Sequence, residues 1–233
     1  MKAAVILPAA GLGTRMGRSV PERAGTSRKQ FMLLDGAPIL LHTIRKFLSC
    51  DSVSEIVLAL RKDDLAWVEG LLKEERPARP VRMVEGGDTR QQSVENALAA
   101  IGAGVELVAV HDAVRPFIEP STIERVIREA AESGAAIVGI VPVDTVKQVD
   151  KGTVVGKTLD RAKLWTVQTP QTFRVELIRQ AYAKLAETKA VVTDDAAALE
   201  LIGEPVRLVE WGPLNLKVTV AEDLTTAATL LRI

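Results

Sequence analysis

Short apolar runs alternate with longer amphipathic segments over the first 141 residues. Apolar runs without polar alternation predict strands that are buried on both faces of a sheet. The predicted strands are residues 3–7, 56–60, 81–84, 107–110 and 135–141, and the predicted helices among them are 38–49, 63–75, one from 89 and one ending at 133. This alternation favours an α/β fold, with a mostly parallel, Rossmann-like sheet between two layers of helices.

Three of these helices have recognisable starting signals. Pro38 is placed for the first turn of its helix, where the missing N–H of proline costs nothing. Thr89 with Gln92, and Ser121 with Glu124, have the spacing of capping boxes. We therefore predict that the side chains of Thr89 and Ser121 cap the helices that follow them.

Between residues 143 and 167 the pattern changes to alternating polar and apolar positions around Gly152. This pattern predicts an antiparallel hairpin with one apolar face. An exposed hairpin of this kind usually packs on something, often another subunit. Helices at 174–187 and up to 202, a strand at 206–211 and a helix from 221 complete the prediction. We expect one domain over 1–233, with a hairpin arm at about 142–167.

Composition excludes several function classes. The chain has 30 basic and 30 acidic residues, so its formal net charge is zero, which argues against general binding to nucleic acid or to an anionic membrane. Aromatic residues are only 3%, too few for base-stacking platforms. Cys50 stands alone, as expected of a buried thiol in a reducing compartment. The N-terminus lacks the features of a signal peptide, so we expect a cytoplasmic protein.

A glycine-rich stretch follows the first predicted strand. Gly11, Gly13 and Gly17 would let backbone N–H groups approach a phosphate, and Arg15 and Lys29 would add positive charge. The stretch lacks a Walker sequence and matches the dinucleotide pattern only in part. On the glycines alone, a plain strand-to-helix turn is an equal alternative, and the two cations favour a phosphate site.

Further polar residues follow other predicted strands. Gly87 and Asp88 come after the third strand, and Asp112 and Arg115 come after the fourth. In parallel sheets, ligands bind beyond the carboxyl ends of the strands. The shared location of these residues is stronger evidence for a site than any one motif.

Taken together, the motifs resemble the 2-C-methyl-D-erythritol 4-phosphate cytidylyltransferase family over nearly the full length. The matching pieces are Pro8-Ala9-Ala10-Gly11-x-Gly13-x-Arg15, Lys29-Gln30-Phe31, Gly86-Gly87-Asp88-x-Arg90-x-x-Ser93, His111-Asp112-Ala113-x-Arg115-Pro116, Asp144-Thr145, Arg161-x-x-Leu164-Trp165, Gln168-Thr169-Pro170-Gln171, Thr193-Asp194-Asp195 and Lys217-Val218-Thr219. The resemblance implies a nucleotidyltransferase that moves CMP from CTP to methylerythritol phosphate and releases pyrophosphate. It also implies Mg²⁺ held mainly by CTP phosphates, and a homodimer clasped by the hairpin arms.

The resemblance also implies a set of site residues. The catalytic group is Arg15, Lys29, Asp112 and Lys217. The nucleotide contacts are Pro8, Ala9, Ala10, Gly11, Gly13, Gly87, Asp88 and Ser93. The acceptor contacts are Ala113, Arg115, Thr145, Arg161, Thr169 and Thr193, of which Thr145, Arg161 and Thr169 are expected from the partner subunit. No set of protein metal ligands is implied.

The chain departs from the family pattern between Gly17 and Arg28. This span is longer than usual, and Arg28 precedes Lys29 where the family commonly has proline. The segment is polar and aperiodic, so we expect a flap over the nucleotide. Arg18, Arg23 and Arg28 are candidates for extra phosphate contacts.

Some of these residues have simpler interpretations. His111 is more simply a histidine at the edge of the core, bonded to backbone, than a catalytic base. The pair Asp194 and Asp195 is more simply a helix cap than a metal site.

Alternative functions stay open at this point. Ribitol 5-phosphate cytidylyltransferase has the same nucleotide motifs and a similar acceptor. A nucleotide-dependent dehydrogenase conflicts with the displaced third glycine and with the cations in the loop. A non-catalytic nucleotide-binding dimer conflicts with the retention of all four catalytic candidates.

Overall fold

The computed structural model describes residues 1–11, 28–212 and 214–232. Its main sheet has seven strands: β1 (Ala3–Pro8), β4 (Val53–Leu60), β5 (Val81–Glu85), β6 (Leu107–Val110), β7 (Ala135–Ile140), β10 (Thr166–Arg174) and β11 (Arg207–Glu210). Their order across the sheet is β11-β7-β10-β6-β1-β4-β5. The five predicted strands of the first 141 residues and the strand near 206–211 are confirmed.

Helices cover both faces of this sheet. They are α1 (Ile39–Leu48), α2 (Leu65–Glu75), α3 (Arg90–Ala99), α4 (Pro120–Ser133), α5 (Val175–Thr188), α6 (Asp195–Glu200) and α7 (Ala221–Leu230). In β1, Val5 and Leu7 pack with α1, α2 and α4, whereas Ile6 faces α3, α5 and α6. Both layers are apolar because parallel strands are buried on both faces, and the three-layer α/β prediction is confirmed. Within the described ranges no helix is long and apolar enough to cross a membrane.

One strand of the main sheet is missing from the sequence prediction. β10 runs antiparallel between β6 and β7, with Gln171 level with Val110 and Ile137. Its sequence contains Thr169, Pro170, Gln171 and Thr172, which lack the apolar run of the other strands. These side chains are nevertheless buried. The sequence pattern did not predict β10, because this inner strand is polar where the other inner strands are apolar.

The predicted turn at Asp35 and Gly36 joins two short strands, β2 (Leu33–Leu34) and β3 (Ala37–Pro38). Both turn residues have positive φ, which glycine and aspartate tolerate better than most residues. Helix α1 begins one residue later than predicted, at Ile39, with Pro38 as its N-cap.

One of the two predicted capping boxes is confirmed. Thr89 accepts a hydrogen bond from the Gln92 N–H, and the Gln92 side chain bonds back to Thr89. The box at Ser121 is wrong, because α4 begins at Pro120 with no side-chain cap. The Glu124 carboxylate instead accepts from the Ser52 N–H at 3.2 Å.

The predicted hairpin arm is present as β8 (Lys147–Lys151) and β9 (Val154–Thr158), which pair antiparallel around Gly152. Every residue of both strands is exposed in the single chain. Val149 and Val155 lie opposite each other and are 52% and 55% exposed. Strand β10, which starts at Thr166, carries the chain from this arm back into the sheet.

Candidate active site

A cleft that is open to solvent at its mouth lies beyond the carboxyl ends of β1, β5 and β6. Its lining contains most of the predicted nucleotide and catalytic residues, namely Pro8, Ala9, Ala10, Gly11, Lys29, Gly87, Asp88, Ser93, Asp112 and Lys217. The predicted acceptor contact Ala113 also lines it, as do Gln30, Thr89, Arg90 and Val114, for which no contact was predicted. These residues come from five separate parts of the sequence. Their convergence at one sheet edge matches the expectation from the strand ends.

Gln30 ties the Lys29 turn to the end of β1. Its side-chain Nε2 donates to the Ala9 carbonyl at 2.6 Å and lies 3.3 Å from the Gly11 carbonyl. Gln30 is 2% exposed, so this contact is part of the core rather than a surface contact. Gln30 belongs to the motif Lys29-Gln30-Phe31, which by itself indicates no role for this side chain. The structure shows that it fixes the two segments that carry the expected phosphate contacts.

The turn after β5 brings backbone close to the cleft. A Cβ atom on Gly87 would overlap the Gln92 Cβ, and one on Gly86 would lie 2.5 Å from the Ala10 Cβ. Glycine is therefore required at both positions. The Ser93 hydroxyl accepts from the Gly87 N–H at 3.1 Å and donates to the Thr89 carbonyl at 2.9 Å. Ser93 thus shapes this turn as well as lining the cleft.

Asp112 is the charged centre of the cleft. Its Oδ2 lies 2.9 Å from Lys217 Nζ and 3.1 Å from Arg115 Nε, and its Oδ1 lies 3.7 Å from Arg90 Nε. Burial by itself would raise the pKa of this carboxyl, but the three cations outweigh it and hold the pKa well below its usual range. Asp112 is therefore an anion at any physiological pH, and it holds Lys217 and Arg115 at one point.

Behind Asp112 lies a second buried carboxylate, Asp195, for which the sequence predicted only a part in a helix cap. Asp195 Oδ2 accepts from Arg90 Nη2 at 2.6 Å, and Asp195 Oδ1 accepts from the Tyr182 hydroxyl at 2.6 Å. The capping prediction is confirmed for Asp194, whose Oδ1 accepts from the Ala197 N–H at 3.0 Å. Among the described residues no group of three His, Cys, Asp or Glu side chains could hold a metal ion.

His111 is a core residue, as the simpler interpretation proposed. Its Nε2 donates to the Arg115 carbonyl and its Nδ1 accepts from the Thr169 hydroxyl, both at 3.1 Å. Because the ring is completely buried, the pKa of His111 is lowered to about 4. A neutral imidazole with both nitrogens occupied supports the fold of the site and is not placed to accept a proton from a substrate.

The Thr169 hydroxyl has two hydrogen-bond partners within its own chain. Its hydroxyl donates to His111 and accepts from the Asp112 N–H at 3.1 Å. Thr169 is also only 6% exposed, because β10 lies inside the sheet. Within its own chain, Thr169 positions the backbone of Asp112. Its expected contact with the acceptor of the partner subunit stays a prediction.

The other acceptor contacts divide into two groups. Ala113 lines the cleft, and Arg115 stands beside it, bonded to Asp112 and to the Asn215 carbonyl. Thr145, Arg161 and Thr193 are exposed and do not line the cleft of their own chain. The Arg161 guanidinium donates to the Val143 carbonyl at the base of the arm. The expectation that Thr145 and Arg161 serve another subunit stays a prediction.

Part of the predicted site lies outside the described residues, namely Gly13, Arg15, Gly17, Arg18 and Arg23, with the expected flap. The described end of this segment is Arg28, whose guanidinium pairs with the buried carboxylate of Asp64. The next turn is held by Phe31, whose ring packs edge-on against Trp67 at 4.9 Å. Arg28 thus has a structural partner at the position where the family commonly has proline.

Glycine-shaped turns and clustered cations at the carboxyl edge of a three-layer sheet define a nucleotide-binding α/β protein of the nucleotidyltransferase class. The family model for 2-C-methyl-D-erythritol 4-phosphate cytidylyltransferase matches residues 3–233. The chain belongs to this family.

Individual relatives agree with this assignment along the whole chain. The cytidylyltransferase of that name from Solibacter usitatus is 51% identical over 235 residues, which span 100% of this chain and 96% of the relative. The one from Acidobacterium capsulatum is 44% identical, with 100% and 98% covered.

Solved structures give the same result for the fold. The crystal structure of 4-diphosphocytidyl-2C-methyl-D-erythritol synthase from Anaerococcus prevotii superposes with a TM-score of 0.87 at 29% identity, covering 100% of this chain and 96% of that one. The 2-C-methyl-D-erythritol 4-phosphate cytidylyltransferase from Thermus thermophilus gives 0.78 at 31% identity, with both chains fully covered.

Proposed function

We propose that this protein transfers CMP from CTP to 2-C-methyl-D-erythritol 4-phosphate, giving 4-diphosphocytidyl-2-C-methyl-D-erythritol and pyrophosphate. The observation that carries the proposal is the cleft itself. It joins tightly shaped glycine backbone at Gly86 and Gly87 to Lys29, Lys217 and the anionic Asp112, in a chain of this family. Backbone and small side chains suit a flat base and ribose, and the lysines suit phosphates.

The chemistry asks for positioning and charge rather than for a protein nucleophile. The acceptor phosphate attacks the α-phosphorus of CTP and pyrophosphate leaves in line, so negative charge builds on the phosphate oxygens. Lys29 and Lys217 both line the cleft, where they would stabilise that charge. Asp112 holds Lys217 at 2.9 Å and so fixes its position before substrate binds. Arg115, held by the same carboxylate, is the proposed cation for the acceptor.

Mg²⁺ is the proposed metal, held mainly by CTP phosphates. The described carboxylates fit this arrangement, because the described lining of the cleft offers only Asp88 and Asp112 and the described residues form no metal cage of their own. Mg²⁺ typically binds through one or two carboxylates together with substrate phosphates. When bound, it would neutralise phosphate charge alongside Lys29 and Lys217.

The proposed assembly is a homodimer formed through the hairpin arms. The arm exposes Val143, Val149, Val154 and Val155 by 81, 52, 66 and 55%. Exposed β-branched residues on a paired hairpin would bury apolar surface against a second copy. Thr145 and Arg161 lie near the base of the arm, where they could reach a partner's cleft.

The function is tested by measuring pyrophosphate release from CTP and from UTP, each with methylerythritol phosphate or ribitol 5-phosphate. We expect the fastest release with CTP and methylerythritol phosphate. Faster turnover of ribitol 5-phosphate would replace the proposed acceptor. No release with any pair would contradict the proposed reaction.

A site shared between subunits predicts complementation in mixed dimers. We expect Lys217→Ala and Arg161→Ala proteins each to be poorly active, and their mixture to regain activity. With free exchange, half of the dimers are mixed and one of their two sites is intact, so recovery should approach about a quarter of the wild-type rate. Pyrophosphate release after refolding the two proteins together measures this. No recovery, with exchange shown by differently tagged chains, contradicts the shared site.

A further inference from the structure

Arg90 occupies an unfavourable place for a cation. It is the first residue of α3, after the N-cap Thr89, where the positive end of the helix dipole repels a guanidinium. The side chain is 34% exposed and lines the cleft between the glycine turn and Asp112. Such a position needs a compensating anion.

Asp195 supplies that anion. Its side chain has no exposed surface, and it lies 2.6 Å from Arg90 Nη2. Asp112 is farther from Arg90, at 3.7 Å, which is beyond hydrogen-bond distance. Burial alone would lower the pKa of Arg90, but Asp195 and Asp112 outweigh it and raise the pKa, so the guanidinium stays charged. Asp195 is therefore the group that fixes the orientation of Arg90.

The side chain and the backbone of Asp195 are both fixed by hydrogen bonds. The Tyr182 hydroxyl donates to its Oδ1 at 2.6 Å, which leaves Oδ2 for Arg90. Its backbone N–H and that of Ala196 donate to Gln171 Oε1 at 3.1 and 3.0 Å. Because Gln171 lies in β10 next to β6, the carboxylate is fixed relative to the strand that leads to Asp112.

Helix capping does not explain this carboxylate. Asp194 accepts the capping hydrogen bond of α6, whereas both oxygens of Asp195 point to Arg90 and Tyr182. A fully buried carboxylate carries a desolvation cost, and apolar residues can often replace a buried ion pair without loss of stability. Stability alone is therefore a weak reason for this arrangement, and the exposed side of Arg90 in the cleft offers a functional one.

We infer that Asp195 is a positioning residue for nucleotide binding: with Tyr182 behind it, it holds the Arg90 guanidinium in the cleft as a fixed hydrogen-bond donor to the nucleotide. Arginine carries only donors, so its contact must be an acceptor atom of the nucleotide, either the carbonyl oxygen or N3 of the base, a ribose oxygen or a phosphate oxygen. The tether to Asp195 also keeps Arg90 from closing onto Asp112, which leaves that carboxylate to Lys217 and Arg115. The inference rests on the proposed use of CTP.

The test compares Asp195→Asn, Tyr182→Phe, Arg90→Gln and the double variant Asp195→Asn/Arg90→Gln. Asparagine keeps the shape of Asp195 without its charge, so we expect the Kd and KM for CTP to rise about tenfold, as for loss of one charge-assisted hydrogen bond. The KM for the acceptor should stay within about twofold, because Asp195 acts through a nucleotide contact. Tyr182→Phe should give a smaller rise in the same direction.

The double variant separates positioning from a structural role. If Asp195 acts through Arg90, the double variant should bind CTP no more weakly than Arg90→Gln alone. Glu200→Gln is the matched control, because it also turns a carboxylate into an amide on α6, at an exposed position, and should leave CTP binding unchanged. The inference would be overturned if the increases in the Kd for CTP caused by Asp195→Asn and Arg90→Gln multiply in the double variant. It would also be overturned if Asp195→Asn alone binds CTP with wild-type affinity.

Two further measurements separate an effect on CTP binding from failure of the proposed reaction and from loss of fold. CTP binding is measured by calorimetry without acceptor, so failure of the proposed acceptor leaves this test intact, whereas wild-type protein that does not bind CTP refutes both proposals. Thermal unfolding of each variant identifies loss of fold. If Asp195→Asn does not fold, the inference is tested with Tyr182→Phe, because phenylalanine keeps the packing of the ring. Unchanged CTP affinity in Tyr182→Phe would then overturn the inference.

Discussion

Replacing Lys29 with alanine should lower kcat by about 10² to 10³, equivalent to roughly 3 kcal/mol in the activation barrier. The reason is that a preorganised positive charge next to the phosphates acts mainly where negative charge builds up, in the transition state. The KM for the acceptor should change far less, because Lys29 is anchored beside the end of β1, where the nucleotide is expected. Steady-state pyrophosphate release at saturating CTP measures both quantities.

The structure gives a reason why this effect should be one of charge and not of fold. The turn around Lys29 is anchored by its neighbours: Gln30 bonds to Ala9, Phe31 packs on Trp67, and Arg28 pairs with Asp64. Removing the lysine side chain leaves those anchors in place. Lys73→Ala, at an exposed position on α2, is the matched control and should keep normal turnover. Near-normal kcat in Lys29→Ala would refute the assigned role.

Replacing Asp112 with asparagine should have the second large effect, on both turnover and stability. The change leaves Lys217 and Arg115 without their shared anion, so we expect a loss of about 3 kcal/mol in the free energy of unfolding at pH 7. Turnover should fall by about two orders of magnitude, because Lys217 is no longer fixed. The KM for CTP should not rise in proportion, since the site becomes more positive toward a triphosphate.

The stability difference should depend on pH in a defined direction. Because the pKa of Asp112 is held low in the folded protein, its stabilising contribution is present above the unfolded-state pKa of about 3.9 and is lost as pH falls through the lower folded pKa. The gap in unfolding free energy between wild type and Asp112→Asn should therefore narrow from pH 7 to pH 3.

Urea unfolding at these two pH values measures that gap. Asp35→Asn, in the exposed turn between β2 and β3, is the control and should follow the wild-type curve at both. A gap that stays constant or widens toward acid would contradict the ion-pair account of Asp112.

Patterns among neighbouring residues were sufficient to predict those elements whose structure depends mainly on neighbouring residues. The apolar runs located β1, β4, β6 and β7, because a parallel strand covered on both faces has to be apolar throughout. The edge strand β5 was located although it contains Arg82. Thr89 located the start of α3, because a capping box is satisfied within four residues. The same logic failed at Ser121, where Pro120 already starts α4 and Glu124 is drawn away to the backbone of Ser52.

The pairing of charged side chains around the site could not be predicted from patterns among neighbouring residues. Asp112 and Lys217 were individually predicted from motifs, yet the carboxylate that holds Arg90 lies 105 positions away in sequence, at Asp195. The clue that was available is the arginine at the first position of α3, which conflicts with the helix dipole and calls for a distant anion.

The sequence by itself determined the succession along the chain of the helices and of all main-sheet strands except β10, together with the family, the glycine turns and the identity of the cations, because periodicity and motif spacing are properties of neighbouring residues. Only the tertiary structure decided that the polar segment Thr166–Arg174 is an inner strand, that Thr169 supports His111 and Asp112 from within its own chain, and that Asp195 holds Arg90. A buried polar or charged group is tolerated only when its partners are in place, and those partners come together only when the sheet forms.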